Sequence, residues 1–553
     1  MKKIIFALFF CLLTGGIKAQ NLSNISEQLK IFNQLYKTLD LYYVDTLNAQ
    51  KNITTAINAM LYELDPYTEY YTAKTAKDLN TMTTGKYAGV GALIHYYKAE
   101  DRCVIYQLYE GKPAQMAGLK VGDVLLSIDG KDTGKKGNME VGSYVSSVSN
   151  ALRGDANTVA VVKVKRQGVV DTVAVNITRA NVQMPSVPYS GMISPEIGYI
   201  CLSTFTSNCS QDVLQALQEL KRQGAKSLIL DLRDNGGGLA NEAVKIVNLF
   251  VEKGKLILKM KGKIAEANTS YATQNKPEDL QMPLVVLVNG NSASSSEIVC
   301  GSLQDLDRAV IVGERTYGKG LVQQPHELPF NGVLKLTTSH YYIPSGRCIQ
   351  ALDYTHRAEN GEAYRTPDSL TKVFYTEAGR PVRDGGGITP DIMVKDTLPL
   401  TLAYLRQSDE YFDWLNKYCA EHSAISPAGE FALSEEDYAD FVAYITSSEF
   451  TPESRSKRAL EQLRNILNAE QATDEAAAAL DVLEQSLSPD MKKLLMQNKE
   501  TMAPLISSDL CDRYYYTAGA RQNLLLHDKQ LDAAIEILQD TERYKALLKP
   551  IKE

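Results

Sequence analysis

Across 553 residues the sequence has no run of Lys or Arg and no CxxC or Cys/His ligand spacing. Past residue 20 it also has no apolar stretch long enough to span a bilayer, which takes ~20 residues. The first absence, together with a formal net charge of −7, argues against nucleic acid as a partner. The second excludes a structural zinc site or a disulfide framework. Of eight cysteines, Cys11 sits in the N-terminal apolar run, and the other seven are scattered, with Cys201 and Cys209 the one close pair. They read as buried small hydrophobes. The third absence excludes a stable membrane span. What is left is an ordinary soluble composition, 44 % hydrophobic and 23 % charged. The chain is too long for one core, and three or four domains are expected.

The N-terminus carries Lys2-Lys3, an apolar stretch from Ile4 to Leu13, small residues, and Ile17-Lys18-Ala19. This predicts a signal peptide over residues 1–19, cut after Ala19, and hence a periplasmic or secreted protein. Cys11 lies behind Phe9-Phe10 rather than behind a small residue, so a lipid anchor is not expected.

Beyond the leader, four regions differ in pattern. Over residues 20–84 apolar positions recur at helical spacing (Leu29, Phe32, Leu35, Leu39, then Ala56, Met60, Leu64), and Pro66 ends a helix in a turn. Over residues 85–180 short alternating strands take over. A short helix ends at Gly118, a turn follows at Val121-Gly122-Asp123, and a strand runs into Asp129-Gly130, a hairpin signal. This segment, with Leu152-Arg153-Gly154 and the strand Val159 to Arg166, resembles a PDZ domain. Gly89, Val90 and Gly91 resemble its carboxylate-binding loop, where glycines let successive N–H groups face an anion and a peptide adds as an extra strand. Over residues 187–396 strands alternate with helices: Ser227 to Leu232, a helix through Ala240, Ala243, Val244 and Val247, Pro283 to Val288, a helix from Ser294 to Leu306, and Ala309 to Val312. That alternation predicts a mainly parallel α/β core sheet. The polar stretch Tyr354 to Asp384 reads as a surface insertion. Residues 397–553 read as helical, with Ser434 capping one helix and Ser488-Pro489-Asp490 opening another. Packing, homodimerisation or adaptor contact is the expected role of the helical terminal regions.

The chemistry concentrates in Val288 to Ile298, where serines stand between a buried strand and a helix N-terminus that favours developing negative charge. Two near-matches fail. Gly290-Asn291-Ser292-Ala293-Ser294 lacks the last glycine of a nucleophile elbow, and Gly313 to Gly320 lacks the Ser/Thr that ends a P-loop. No cofactor or metal is implied.

Six ordered motifs then carry a resemblance over Leu39 to Val394. They are Leu64-Asp65-Pro66-Tyr67-Thr68, the PDZ segment, Asp231-Leu232-Arg233-Asp234-Asn235-Gly236-Gly237-Gly238, the Ser-rich segment through Gln304-Asp305, Thr316-Tyr317-Gly318-Lys319-Gly320-Leu321-Val322-Gln323, and Gly387-Ile388-Thr389-Pro390-Asp391. Together they resemble the carboxy-terminal processing peptidases, or tail-specific proteases. The resemblance implies a crotonase/Clp-like core, Ser294 as nucleophile, Lys319 as general base and Gln323 four positions on. It also implies oxyanion donors at Ser295 and at Gly236 or Gly237, with Glu297 near the dyad and its role open. Ser295 replaces the family's usual Ala, a small change at a residue that contributes a backbone N–H. A lysine is a base only if its pKa falls toward neutrality, which burial among apolar groups can achieve. Were both segments extended, the even offset would put Lys319 and Gln323 on one strand face. The expected function is a serine endopeptidase acting on proteins or peptides with accessible C-termini. The rivals are a Ser-His-Asp triad using His326 or His340 with Asp231, Asp234 or Asp305, a small-ester hydrolase, and a PDZ adaptor that has lost catalysis.

Overall fold

The computed structural model describes residues 24–550 apart from 360, 397, 449, 451–454, 472–473 and 488–489. The expected leader, residues 1–19, lies outside the described residues. The chain divides into two units, one of residues up to Lys74 with Gln323–Thr337, the other of Thr75–Val322 with Thr338–Glu553.

In the first unit helices cover residues 24–42 and Ala49–Tyr62, the second capped by Asn48. Asp65 makes the expected turn: one carboxylate oxygen accepts the N–H groups of Tyr67 and Thr68, the other the Thr68 hydroxyl. The strand Glu69–Tyr71 then pairs antiparallel with Val333 to Lys335. The predicted apolar stripe does form a helix, yet Leu29, Phe32, Leu35 and Leu39 are exposed, and Leu61 is the one buried apolar side chain among this unit's described residues. Periodicity sets a face; it does not supply what covers that face.

The second unit begins with the PDZ module. Its main sheet runs from the edge strand Ala92–Tyr97 through Arg102–Leu108 and Val124–Ile128 to Val159–Lys165 and Val173–Thr178. Asp129 and Gly130 both take positive φ (51° and 77°), the backbone a two-residue hairpin loop requires. The helix Val141–Leu152 buries Tyr144, Val148 and Leu152 against this sheet.

A six-stranded sheet follows, ordered Tyr189–Ser194, Ile197–Cys201, Ser227–Asp231, Leu284–Val288, Val310–Gly313, Ile392–Met393. The first pair is antiparallel and the other four are parallel. Its four interior strands are buried along their whole length, which explains their largely apolar runs. One face packs on the helices Cys209–Arg222, Ala240–Asn248 and Ser295–Asp305. The other is covered by Leu531, Ala534, Ile537 and Tyr544 from the helices Lys529–Gln539 and Thr541–Leu547. The end of the helical C-terminal region thus completes the core of the α/β sheet. Its earlier helices form a cluster of their own around Trp414, Phe441 and Ile506.

Ser434 caps the helix Glu435–Ser447 as expected, and Asp490 caps Met491–Gln497, while Ser488 and Pro489 lie outside the described residues. The stretch expected as a surface insertion is more than that. It folds into two hairpins and buries Arg380, whose guanidinium reaches Asp307 and Asp391 at 2.6 Å each. The seven described cysteines are unpaired. No helix among the described residues is long and apolar enough to cross a membrane.

Candidate active site

Ser294 stands where the buried strand Leu284–Val288 has ended and the helix Ser295–Asp305 begins. Its backbone is strained, with φ 55° and ψ −111°, in a region where a side chain is rarely tolerated. Its neighbours explain why this serine differs from the rest of the cluster. The hydroxyls of Ser292, Ser295 and Ser296 donate to the main-chain carbonyls of Leu232, Gly238 and Asn235 at 2.8, 2.9 and 2.8 Å. All three serines are buried, while Ser294 is half-buried. The near-elbow centred on Ser292 is therefore structural, and the strained turn belongs to Ser294.

Glu297 is fully buried and accepts four hydrogen bonds. One oxygen takes the Thr316 hydroxyl at 2.6 Å and the Gly318 N–H at 2.7 Å. The other takes the N–H of Ser294 at 2.8 Å and that of Lys319 at 2.9 Å. Two groups 25 positions apart in sequence thus hang on a single oxygen, which keeps their nitrogens within about 6 Å of each other. Burial pushes the Glu297 carboxyl up from its ordinary value, and the four donors work against that shift.

The Asp231–Gly238 loop packs beneath the serine turn. Asn235 organises it: its carbonyl accepts the Ala293 N–H and the Ser296 hydroxyl, and its side-chain oxygen accepts the Gly237 N–H at 2.9 Å. Gly237 has φ 98°, and a Cβ there would lie 2.7 Å from the Ala293 carbonyl oxygen and 2.9 Å from the Ser295 nitrogen. Its N–H is already engaged, so of the two candidates for the second oxyanion donor Gly237 is the one the geometry disfavours. No side chain could be accommodated at Gly237, whereas open space surrounds Gly236. Ser295 is the first residue of its helix, where an N–H has no intrahelical acceptor.

The loop's flank is fixed by charge. Arg233 binds Asp231 and Asp528, both at 2.6 Å, and donates to Gln530 at 3.1 Å. Burial opposes ionisation of Asp231, but Arg233 outweighs it and holds the carboxyl below the ordinary range.

Lys319 is half-buried in irregular backbone behind Gly318 (φ 89°), and the strand begins only at Leu321. The even-offset argument therefore fails, because there is no strand at Lys319 for it to act on. Gln323 belongs to the first unit, where its side-chain amide donates to the Thr337 hydroxyl at 3.0 Å, and the Thr337 N–H in turn reaches the Thr68 hydroxyl at 3.2 Å.

The triad's components are dispersed or occupied. His340 is exposed, whereas its strand neighbour Tyr341 is buried and donates from its hydroxyl to the Ser294 carbonyl at 3.2 Å. Successive residues on a strand face opposite ways, so His340 points away from the serine. His326 is exposed on the first unit. Asp305 is paired with Arg347 at 2.8 Å, and Asp234 accepts the side-chain amides of Asn289 and Asn291.

Sequence reasoning missed Asn235, Thr316 and Tyr341 as parts of this site. The first two lay inside quoted motifs, and a polar residue conspicuous only by its company was the available signal. Tyr341 carried none. Thr316 also accounts for a distant motif: its hydroxyl accepts the Ile388 N–H at 2.7 Å, and a Cβ on Gly387 would lie 2.6 Å from its carbonyl oxygen.

In the PDZ module Gly91 has φ 78°, and a Cβ there would lie 2.4 Å from Lys112 Cβ. The carbonyls of Val90 and Gly91 accept the N–H groups of Ala114 and Tyr109 at 2.7 and 3.2 Å. Gly89 ends the strand Lys86–Gly89, where it pairs with Ala180, so of the expected loop Val90 and Gly91 alone are loop residues, and they lead into Ala92–Tyr97, an edge strand of its sheet.

Comparison with known proteins agrees with this architecture. The model of peptidase family S41 matches residues 196–357, that of the PDZ domain residues 104–166, and that of a probable PDZ-protease C-terminal helical domain residues 401–538. Fold and site thus define a serine-type peptidase equipped with a PDZ domain. A carboxy-terminal-processing protease of Bartonella bacilliformis is 34 % identical over 346 residues, covering 62 % of this chain and 76 % of that protein. A probable CtpA-like serine protease of Staphylococcus aureus is 33 % identical over 349 residues, covering 63 % and 67 %. Among solved structures, a photosystem II D1 C-terminal processing protease aligns at 28 % identity over 67 % of this chain and 89 % of its own, with a TM-score of 0.36. The chain belongs to the carboxy-terminal-processing proteases of peptidase family S41.

Proposed function

We propose that this protein is an endopeptidase that cuts by a Ser294–Lys319 dyad and selects substrates by their C-terminal tails through its PDZ domain. The observation that carries the reading is the single Glu297 oxygen holding the main-chain N–H groups of both Ser294 and Lys319. The Ser294 bond is one half of a helix capping box; the Lys319 bond goes beyond capping and ties the second segment to the same oxygen.

In this reading Lys319, as the neutral amine, takes the Ser294 hydroxyl proton as the oxygen attacks the scissile carbonyl. The tetrahedral oxyanion is held by the Ser295 N–H and by Gly236, each such donor worth ~10²–10³ in rate. The lysine then protonates the departing amine, leaving an acyl-enzyme on Ser294. Water, deprotonated by Lys319, releases the acid and restores the serine. The resemblance also implies a part for Gln323, whose side-chain amide nitrogen donates to Thr337 within the first unit. A tail would add to the strand Ala92–Tyr97 with its carboxylate on the loop of Gly89, Val90 and Gly91. The leader predicted over residues 1–19 supports a setting outside the cytoplasm.

The test is cleavage of an unstructured protein such as casein by wild type, Ser294→Ala and Lys319→Ala, with folding checked by circular dichroism. Both variants should be folded and at least ~10³-fold slower. A Lys319→Ala enzyme cutting at the wild-type rate would refute the dyad.

A further inference from the structure

The run Arg513-Tyr514-Tyr515-Tyr516 plays no part in the chemistry above, yet it shapes the PDZ surface. The helix Lys499–Leu524 does not run straight. The Ser508 hydroxyl donates to the Ala520 carbonyl at 2.9 Å, although twelve residues of straight helix would part them by about 18 Å. The chain doubles back at Tyr516, whose φ of 57° and ψ of −167° belong to a region almost restricted to glycine. Gly519 permits the reversal, because a Cβ there would lie 2.2 Å from Tyr515 Cβ. Tyr514 and Tyr515 turn into the helical domain, donating to the carbonyls of His422 and Ile425. Tyr516, at the apex, instead packs against the buried cluster of the PDZ module, as do Ala92, Ile94 and Val145.

Its position along the module is fixed by Gln107. That side-chain amide donates to Asp512 at 2.9 Å and to Thr517 at 3.2 Å, and Gln107 pairs with Leu93, two residues past Gly91. The Tyr516 knuckle therefore lies at the end of the sheet where the edge strand starts, and it packs on the cluster that contains Val90 of the carboxylate loop. In strand addition with a terminal carboxylate on that loop, this is where a tail's last side chain would lie. The domains are joined independently of the knuckle: Phe412 packs on Val104 and Val124, with the Arg513 guanidinium 4.6 Å from its ring centroid.

We propose that Tyr516 is a built-in competitor for the tail site, filling the place of a substrate's terminal apolar side chain. It sets a threshold that favours tails ending in a large aromatic residue over tails ending in a small polar one. The proposal rests on the tail-binding reading of the PDZ domain. A bound tail displaces the ring and releases the strained backbone at Tyr516, and the remaining contacts keep the domains docked.

The experiment is fluorescence anisotropy on the full chain carrying Ser294→Ala, so that peptides are not cut. The probes are fluorescein-labelled Gly/Ser decapeptides ending in free-acid Tyr, free-acid Ser or Tyr amide. Tyr516→Gly removes the ring and accepts the backbone conformation. It should tighten binding of the free-acid Tyr peptide about tenfold, as expected where the competitor fills about nine-tenths of the sites. Gln107→Leu, which loosens the knuckle without removing the ring, should shift affinity the same way by less, and it keeps the test decisive should the glycine variant misfold. Equal or weaker binding in folded variants, with free acid still preferred over amide, overturns this proposal alone. Equal binding of acid and amide in every protein overturns the tail-binding reading and this proposal with it.

Discussion

Glu297→Gln is the substitution that asks most of the site. Each carboxylate oxygen now accepts two donors, at 2.6 to 2.9 Å. Glutamine keeps one accepting oxygen and turns the other into an NH₂, which cannot accept. Whichever way the amide settles, two donors are abandoned in a fully buried site. If the oxygen stays with Thr316 and Gly318, the pair released is Ser294 and Lys319. Hydrogen bonds to a charged group contribute about 1.5–3 kcal/mol each, and recovered desolvation of the carboxylate offsets part of that loss. A net destabilisation of about 3 kcal/mol is expected. Displacing the serine or lysine by about 1 Å should cost ~10² in rate. The assays are thermal unfolding and steady-state cleavage of casein. Positioning predicts that kcat falls while KM holds, whereas a merely structural role predicts lost stability with kcat intact once the protein is folded. A folded Glu297→Gln enzyme with wild-type kcat would refute the argument that this carboxylate holds the proposed dyad together.

Two further outcomes follow from the same geometry. Gly237→Ala should abolish cleavage and lower the unfolding temperature, since its Cβ would meet main-chain atoms of Ala293 and Ser295 rather than a yielding side chain; an active, stable variant would show that the loop can shift. The pH profile should carry an acid limb above the ordinary glutamate range of ~4.3–4.5, because burial raises the Glu297 pKa and protonation removes an accepting site. The limb should be absent from the residual activity of Glu297→Gln. For stability the sign is opposite. Below its raised pKa the folded state holds a proton that the unfolded state has released, so this group's contribution is present at low pH and lost as pH rises through the folded pKa. The difference between wild-type and Glu297→Gln unfolding curves across pH 4–7 measures it.

How far the site could be read from sequence differs from residue to residue. Ser294, Lys319 and the glycine loop stood out because each lies in one of the ordered motifs that carry the family resemblance, and motif order survives without coordinates. Strand and helix positions in the core were legible because fully buried parallel strands must be apolar along their whole length, as Leu284–Val288 is. The even spacing of Lys319 and Gln323 misled, because spacing carries meaning only once the backbone is known to be extended, and Gly318 ends that condition.

What the sequence determined by itself was therefore local: which segments become strands and helices, where turns fall, and which side chains have reactive chemistry. Only the tertiary structure decided which groups share an atom. Glu297 joining Ser294 to Lys319, Asn235 occupying the Gly237 N–H, Asp528 reaching Arg233, and Tyr516 lodging against the PDZ module all link positions that no local period relates. The same holds for the C-terminal helices. Their apolar faces were legible, but that two of them close the second face of the catalytic sheet was not, because a helix encodes the face it must bury and leaves the choice of partner to packing.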